Sequence, residues 1–219
     1  MPKKSRKKEV SLAESAYQQI KEEILRNKFP SGEFLSIRDL SVALNGMGRT
    51  PVREAVQRLH EERLLTVVPR KGVIIPEFDI KKMMDQLEIR HVLERHAAVK
   101  AADNIDDEGL EELKSILEDM VSSEGKGSYQ LARLNMMFHI KIVQAANNHE
   151  IVDMLSRIYD HHIRIYTFFL TDATRFNVTH KEHWEIYEAI SAGDKDKIRS
   201  SMDDHFESTR QQILASILQ

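Results

Sequence analysis

Ten histidines and no cysteine set the side-chain chemistry open to this chain of 219 residues. All but one of the histidines lie beyond Pro76. Asn135 and His139 are four apart and share a helix face, with Phe138 and Ile142 beside them at helical spacing, so that face borders a core. His183 precedes Ile186, Tyr187 and Ile190 on one face of a second stretch, and His205 lies beside Met202 and Phe206 on a third. Three histidines and an asparagine on three helices can therefore point inward. Imidazole and oxygen ligands suit zinc, nickel, manganese or iron. A lone inward histidine is more often a satisfied core residue, and spacing alone would equally admit His161, His162 and His180. Arg90 shares a face with Met83, Leu87 and Ala97. A guanidinium against an apolar face wants an anion, either the internal carboxylate of Glu94 one turn on or a carboxylate ligand.

A second chemistry lies ahead of Glu77. Positions 1–76 carry 15 Lys/Arg against 9 Asp/Glu, a net of +6, while positions 77–219 carry 17 against 26, a net of −9. A basic end on an acidic body suits a polyanion at one end only. Arg49, Arg53 and Gln57 are spaced by four and form a polar stripe apart from Val52, Ala55, Val56 and Leu59. Such a stripe is, by itself, as often a solvated face as a binding face. The absence of cysteine excludes disulfide scaffolds, cysteine zinc sites and thiol catalysis. No apolar run approaches the roughly 18 residues that span a bilayer. The basic start from Met1 to Lys8 is followed by no apolar stretch. It does not read as a secretory signal, and a cytoplasmic protein is expected.

The elements that must position these residues follow from breakers and periodicity. All five prolines fall at or before Pro76, and none follows it. Proline costs about 3 kcal/mol inside a helix, so the second part permits long helices. A boundary is expected near Pro76-Glu77-Phe78-Asp79, with a disordered basic tail over 1–10 and domains over 11–76 and 79–217. In the first domain, Ala13, Tyr17, Ile20 and Ile24 mark a helix, and Ser36 can cap a short second one. Asn45-Gly-Met-Gly48 reads as a turn, Thr50 as the cap of a third helix and Pro51 as its first residue. Leu64–Val68 and Val73–Ile75 around Pro69-Arg-Lys-Gly72 read as a strand–turn–strand. Three helices and a hairpin make a winged helix-turn-helix, whose third helix would enter the major groove. In the second domain six helices are expected, over 79–103, 106–124, 128–147, 149–171, 174–192 and 194–217, with caps at Asp106, Ser128 and Asp194. The fold class is thus mostly α: a winged domain with a small β-hairpin, then an antiparallel six-helix bundle.

Arg49-Thr-Pro-Val-Arg-Glu-Ala55, with Leu59, Leu64 and a hairpin ending in Gly72, resembles the DNA-binding domain of GntR-type bacterial transcription regulators over positions 11–76. By that resemblance Arg38, Arg49, Thr50, Arg53, Lys71 and Gly72 contact DNA. Gly48 and Asn45 depart from the usual Ser and Leu of the turn. Glu88-Ile-Arg-His-Val-Leu-Glu94, Asn135-x-x-Phe138-His139, His183-x-x-Ile186 and Met202-x-x-His205 resemble the FCD ligand-binding domain of the FadR subfamily over 79–217. The resemblance implies a divalent metal held by Asn135, His139, His183 and His205, zinc first with nickel, manganese or iron as alternatives. Asn135 stands where Asp is commoner, which leaves the site one charge more positive.

The resulting expectation is a homodimeric transcription regulator, a repressor by preference. It would bind a double-stranded operator under control of a small carboxylate effector beside the metal, with Arg90 as an effector contact. It has no membrane partner and is not an enzyme. A histidine-ligated metal hydrolase and a metal-free helical interaction module are the rival readings. The hydrolase leaves the basic winged domain unexplained and has no carboxylate placed as a general base.

Overall fold

The computed structural model describes residues 11–123, 127–169 and 173–217, and the expected basic tail lies outside them. The chain divides into two compact units at the step from Glu77 to Phe78.

The first unit runs α1 (Leu12–Leu25), β1 (Phe34–Leu35), α2 (Ile37–Ala43), α3 (Arg49–Glu61), β2 (Thr66–Val68) and β3 (Gly72–Ile74). Ser11 caps α1 by accepting from the Glu14 amide, and Ser36 and Asp39 close a reciprocal capping box on α2. Ala16, Tyr17, Ile20 and Ile24 of α1, Leu40 of α2 and Val52, Ala55, Val56 and Leu59 of α3 form one core. Apolar positions recur every three or four along α1 and α3, which is why each of these helices buries one face.

Two local features of this unit differ from what spacing predicts. Helix α3 starts at Arg49 behind Gly48, with no side-chain cap, so Thr50 is not the N-cap and Pro51 is the third helical residue. The proline is still tolerated because the first four amides of a helix have no partner within it. The sheet has three strands in the order β1-β3-β2, where a two-stranded hairpin was expected. Strand β1 pairs Phe34 with Ile74 and Leu35 with Val73, and so short a strand leaves no sequence pattern. Gly72 sits at φ +117°, and a Cβ there would lie 2.3 Å from the Leu35 carbonyl oxygen. Leu64 and Leu65 precede β2 and plug the core, each 1% exposed.

The second unit is helical through most of its described residues: α4 (Ile80–Asn104), α5 (Asp107–Ser122), α6 (Ser128–Ala145), α7 (His149–Phe169), α8 (Ala173–Ser191) and α9 (Lys195–Ile217). Asp79, Asp106 and Asp194 accept from the amides of Lys82, Gly109 and Lys197 and start α4, α5 and α9. Ser128 is not a cap: Gly127 takes that place, and the Ser128 hydroxyl donates to the Thr167 carbonyl on α7 at 3.0 Å. Helix α4 packs against α6, α7, α8 and α9, and α6 packs on α7 and α8 on α9. Met136, Phe138, Leu155, Ile186, Ile198 and Met202 fill the space between them, each essentially without exposure. No described helix is long and apolar enough to cross a membrane.

Candidate nucleic-acid face and metal centre

The cations of α3 divide by what they touch. Arg58 is held: its guanidinium meets Glu14 at 2.8 Å and covers the Tyr17 ring at 3.5 Å. Arg49 and Arg53, one turn apart in the first half of the helix, are exposed, as is Arg38 in the first turn of α2. None of these three side chains makes a hydrogen bond or ion pair with the described residues. Thr50 is exposed beside them, and Lys71 at the hairpin tip lies with its ammonium 5.2 Å from the Phe34 ring centre. Long cationic side chains without internal partners leave their full charge for an external anion. Gly72 is the exception in this set. Its missing side chain is required by the close approach of β1, whatever the tip contacts.

In the helical unit, His139 of α6, His183 of α8 and His205 of α9 converge. One ring nitrogen of each lies within 4.8 Å of those of the other two. Their exposures are 1%, 0% and 2%. The rings contact one another at centroid distances of 5.2 Å, 5.1 Å and 4.7 Å. Phe138 lies against the His183 ring and Phe206 against His139. Helical spacing put each histidine on a buried face; the packing of three helices brought those faces together.

Carboxylates lie beside two of the three rings. Glu182 Oε2 lies 2.9 Å from His205 Nδ1, and Glu94 Oε2 lies 2.7 Å from His139 Nδ1, close but out of line with the N–H. A carboxylate only accepts, so a proton belongs on each Nδ1, and in a neutral ring Nε2 then carries the lone pair that a metal takes. Those two Nε2 atoms are 3.3 Å apart. Two buried lone pairs facing each other repel unless a cation lies between them. His183 is buried with neither ring nitrogen hydrogen-bonded, and Asn135 Oδ1, one turn before His139 on α6, is buried and equally unpartnered. A buried polar atom left unsatisfied costs about 1–3 kcal/mol. A divalent metal held by the three converging imidazoles would engage their free nitrogens, and three imidazoles with an amide oxygen are a donor set that zinc or nickel accepts.

The protonation states agree. Burial, against the opposing pull of Glu94, lowers the His139 pKa to about 4, and burial lowers that of His183 well below the usual imidazole value. Both are neutral near pH 7, the form that ligates metal. Burial alone would raise the Glu94 carboxyl, but the Arg90 guanidinium and then His139 outweigh it and hold it below the usual carboxylate range.

Arg90 has no exposure, and its donors are engaged internally. Nε donates to Glu94 Oε1 at 2.7 Å, Nη2 meets Glu94 Oε2 at 3.4 Å, and Nη1 reaches His162 Nδ1 at 3.1 Å and the Tyr166 hydroxyl at 3.2 Å. Of the two partners open to Arg90 in the sequence, the internal carboxylate of Glu94 lies within hydrogen-bond reach. The spare histidines of the spacing argument lie outside the triad. His162 serves Arg90, and His180 accepts the Trp184 indole N–H at 3.0 Å. Among the described residues, His139, His183 and His205 are the one group of three such side chains with metal-holding geometry. Spacing missed Glu182, whose only signal is its position next to His183, and it missed the contact of Glu94 with His139.

Comparison with known proteins places both units. Residues 12–75 match the family described as bacterial regulatory proteins, gntR family, and residues 85–208 match the FCD domain. The HTH-type transcriptional regulator McbR of Escherichia coli is 30% identical over 161 residues, covering 73% of this chain and 72% of that one. The HTH-type transcriptional repressor GlaR of Escherichia coli is 28% identical over 200 residues, covering 86% and 90%. The solved structure of E. coli McbR/YncC superposes with a TM-score of 0.82 over 95% of this chain and all of that one. At 22% identity over that superposition, the likeness is one of fold.

Proposed function

The chain belongs to the GntR family of bacterial regulatory proteins, with an FCD domain behind its winged helix, and from that premise we propose that it is a metal-dependent, carboxylate-responsive repressor. As a member of this family it is a DNA-binding transcription regulator and not an enzyme. In the proposal, residues 11–76 bind a pseudo-palindromic operator as a homodimer in the cytoplasm, and residues 79–217 bind the metal and the effector. Arg38, Arg49, Thr50, Arg53, Lys71 and Gly72 form the DNA face. Asn135, His139, His183 and His205 hold the metal, with zinc the first candidate. The preference for repression is supported by GlaR, a relative named as a repressor.

The observation that carries the reading is the buried convergence of His139, His183 and His205, with both His183 nitrogens and Asn135 Oδ1 buried and without a hydrogen-bond partner. Four neutral ligands leave the double charge of a metal uncancelled, so it supplies an anchor for an anion such as an effector carboxylate. Arg90 adds a second positive group nearby, and an effector reaching it must share or displace Glu94. An effector switches the protein only through a difference in its affinity for the DNA-competent and incompetent states.

The test begins by selecting the operator from a pool of random duplexes. Operator affinity is then measured with chelator, with zinc, and with zinc plus a panel of small carboxylates. Weaker operator binding with zinc and one carboxylate is expected. Operator affinity indifferent to metal and to every carboxylate would count against the regulatory half of the proposal while leaving DNA binding intact.

A further inference from the structure

The candidate metal ligands come from α6, α8 and α9. Helix α4 supplies none, although it packs against all three and is the first helix after β3, so it is the element joined in sequence to the DNA-binding unit. Among the described residues, the ion pair between an α4 side chain and a candidate ligand is that of Glu94 with His139. Glu94, 1% exposed, places Oε2 2.7 Å from His139 Nδ1, while its Oε1 accepts from Arg90 Nε at 2.7 Å on the same helix. Glu182 meets His205 Nδ1 at 2.9 Å in hydrogen-bond geometry, where the Glu94 contact is out of line; it also sits on α8 next to the ligand His183, and its side chain is 18% exposed. It ties one ligand-bearing helix to another.

We propose that Glu94 is a positioning residue shared between the metal centre and α4: it holds His139 for the metal and makes α4 the helix that registers whether the metal is bound. The proposal rests on the metal reading above. A cation held by His139 would draw electron density from the ring and make Nδ1–H a stronger donor. Glu94 Oε2 would then turn into line with that N–H and away from Arg90 Nη2, a contact already at 3.4 Å. Arg90 in turn holds α7 through His162 and Tyr166. A shift at Glu94 therefore changes how α4 is tied to α6 and to α7 together. Carboxylates that orient ligating histidines typically contribute roughly 10–100-fold in metal affinity. That effect is expected of both glutamates, whereas of the two only Glu94 lies on α4.

The experiment uses the full chain, stripped with chelator and titrated with zinc by calorimetry. It is followed by hydrogen exchange of peptides spanning α4 without zinc and at saturating zinc. In the wild type, zinc should slow exchange in the part of α4 around Arg90 and Glu94. Glu182→Gln should lose roughly 10–100-fold in zinc affinity yet keep that slowing at saturation. Glu94→Gln should lose a similar factor and also lose the slowing in α4, keeping it in α6, α8 and α9. If Glu94→Gln fails to fold because Arg90 is left unpaired, Arg90→Met/Glu94→Gln makes the same measurement without a buried lone cation. Wild-type zinc affinity in the Glu94 variant, slowing of α4 that survives in it, or no slowing of α4 in the wild type would each overturn the proposal. A wild-type protein that binds no zinc would overturn the metal reading itself, and this proposal with it.

Discussion

Arg90 and Glu94, one turn apart on α4, are both fully buried and pair through Nε and Oε1 at 2.7 Å. Removing one partner leaves the other charge buried and uncompensated, which costs about 3–5 kcal/mol. Glu94→Ala should therefore destabilise the bundle by that order. Replacing both residues by apolar side chains of similar size, as in Arg90→Met/Glu94→Leu, should recover much of the loss. Chemical denaturation of the metal-free proteins measures both, and a double variant no better than the single one would show that the pair is not the source of the cost.

The metal-free protein should lose stability as the pH falls from about 6.5 toward 4. The folded-state pKa of His139 is lowered to about 4, while the unfolded chain keeps the ordinary imidazole value near about 6.5. Between these values the unfolded state binds the additional proton, so stability rises with pH by up to about 1.4 kcal/mol per unit for each such group and levels off above about 6.5. His183 is shifted in the same direction. Unfolding free energies measured in chelator between about pH 4 and pH 8 should show this slope, reduced in His139→Gln.

Zinc should raise the melting temperature of the wild type, by about 2.7 kcal/mol of stability when free metal is roughly 100 times Kd. His183→Ala should abolish the shift. His149→Ala should not, since His149 is exposed at the start of α7. Asn135→Asp should tighten zinc binding by adding a negative charge to the donor set. Equal zinc affinity in Asn135→Asp and Asn135→Ala would remove that residue from the ligands.

Operator binding should separate the two kinds of arginine on α3. Arg49→Ala and Arg53→Ala should each cost about 1–3 kcal/mol of affinity if they read bases in pairs of bonds, with little change in stability. Arg58→Ala should act in the opposite sense, loosening the contacts to Glu14 and Tyr17 and sparing affinity in the protein that remains folded. Fluorescence anisotropy as a function of salt adds a count, because log affinity falls by roughly 0.9 per neutralised phosphate for each unit of log salt.

Gly72→Ala should damage the wing through its own sheet. At φ +117° a methyl group would meet the Leu35 carbonyl oxygen at 2.3 Å, and strain of about 1–3 kcal/mol is expected from the backbone conformation alone. Lower thermal stability of the variant without DNA present is the distinguishing result, since loss of a groove contact would leave the free protein unchanged.

The helices and the side chains they bury were legible in the chain itself. Apolar spacing, aspartate caps and the confinement of proline to the stretch ending at Pro76 determine them, because a helix face and its start depend on residues within one or two turns. Those same signals put Asn135, His139, His183 and His205 on core-facing stripes. They misjudged Thr50 and Ser128 as caps, because a hydroxyl near a helix start can be drawn elsewhere, as Ser128 is to the Thr167 carbonyl. What spacing could not decide was which inward histidines meet. His139, His183 and His205 lie many helical turns apart along the chain, and no local rule separates them from His162 or His180. Nor could it show that Glu94 and Glu182 lie beside the Nδ1 atoms of two rings whose Nε2 atoms face each other, or that β1 demands glycine at position 72. Each of these is set by distances between elements remote in sequence, which exist only once α4, α6, α8 and α9, or β1 and β3, have packed together.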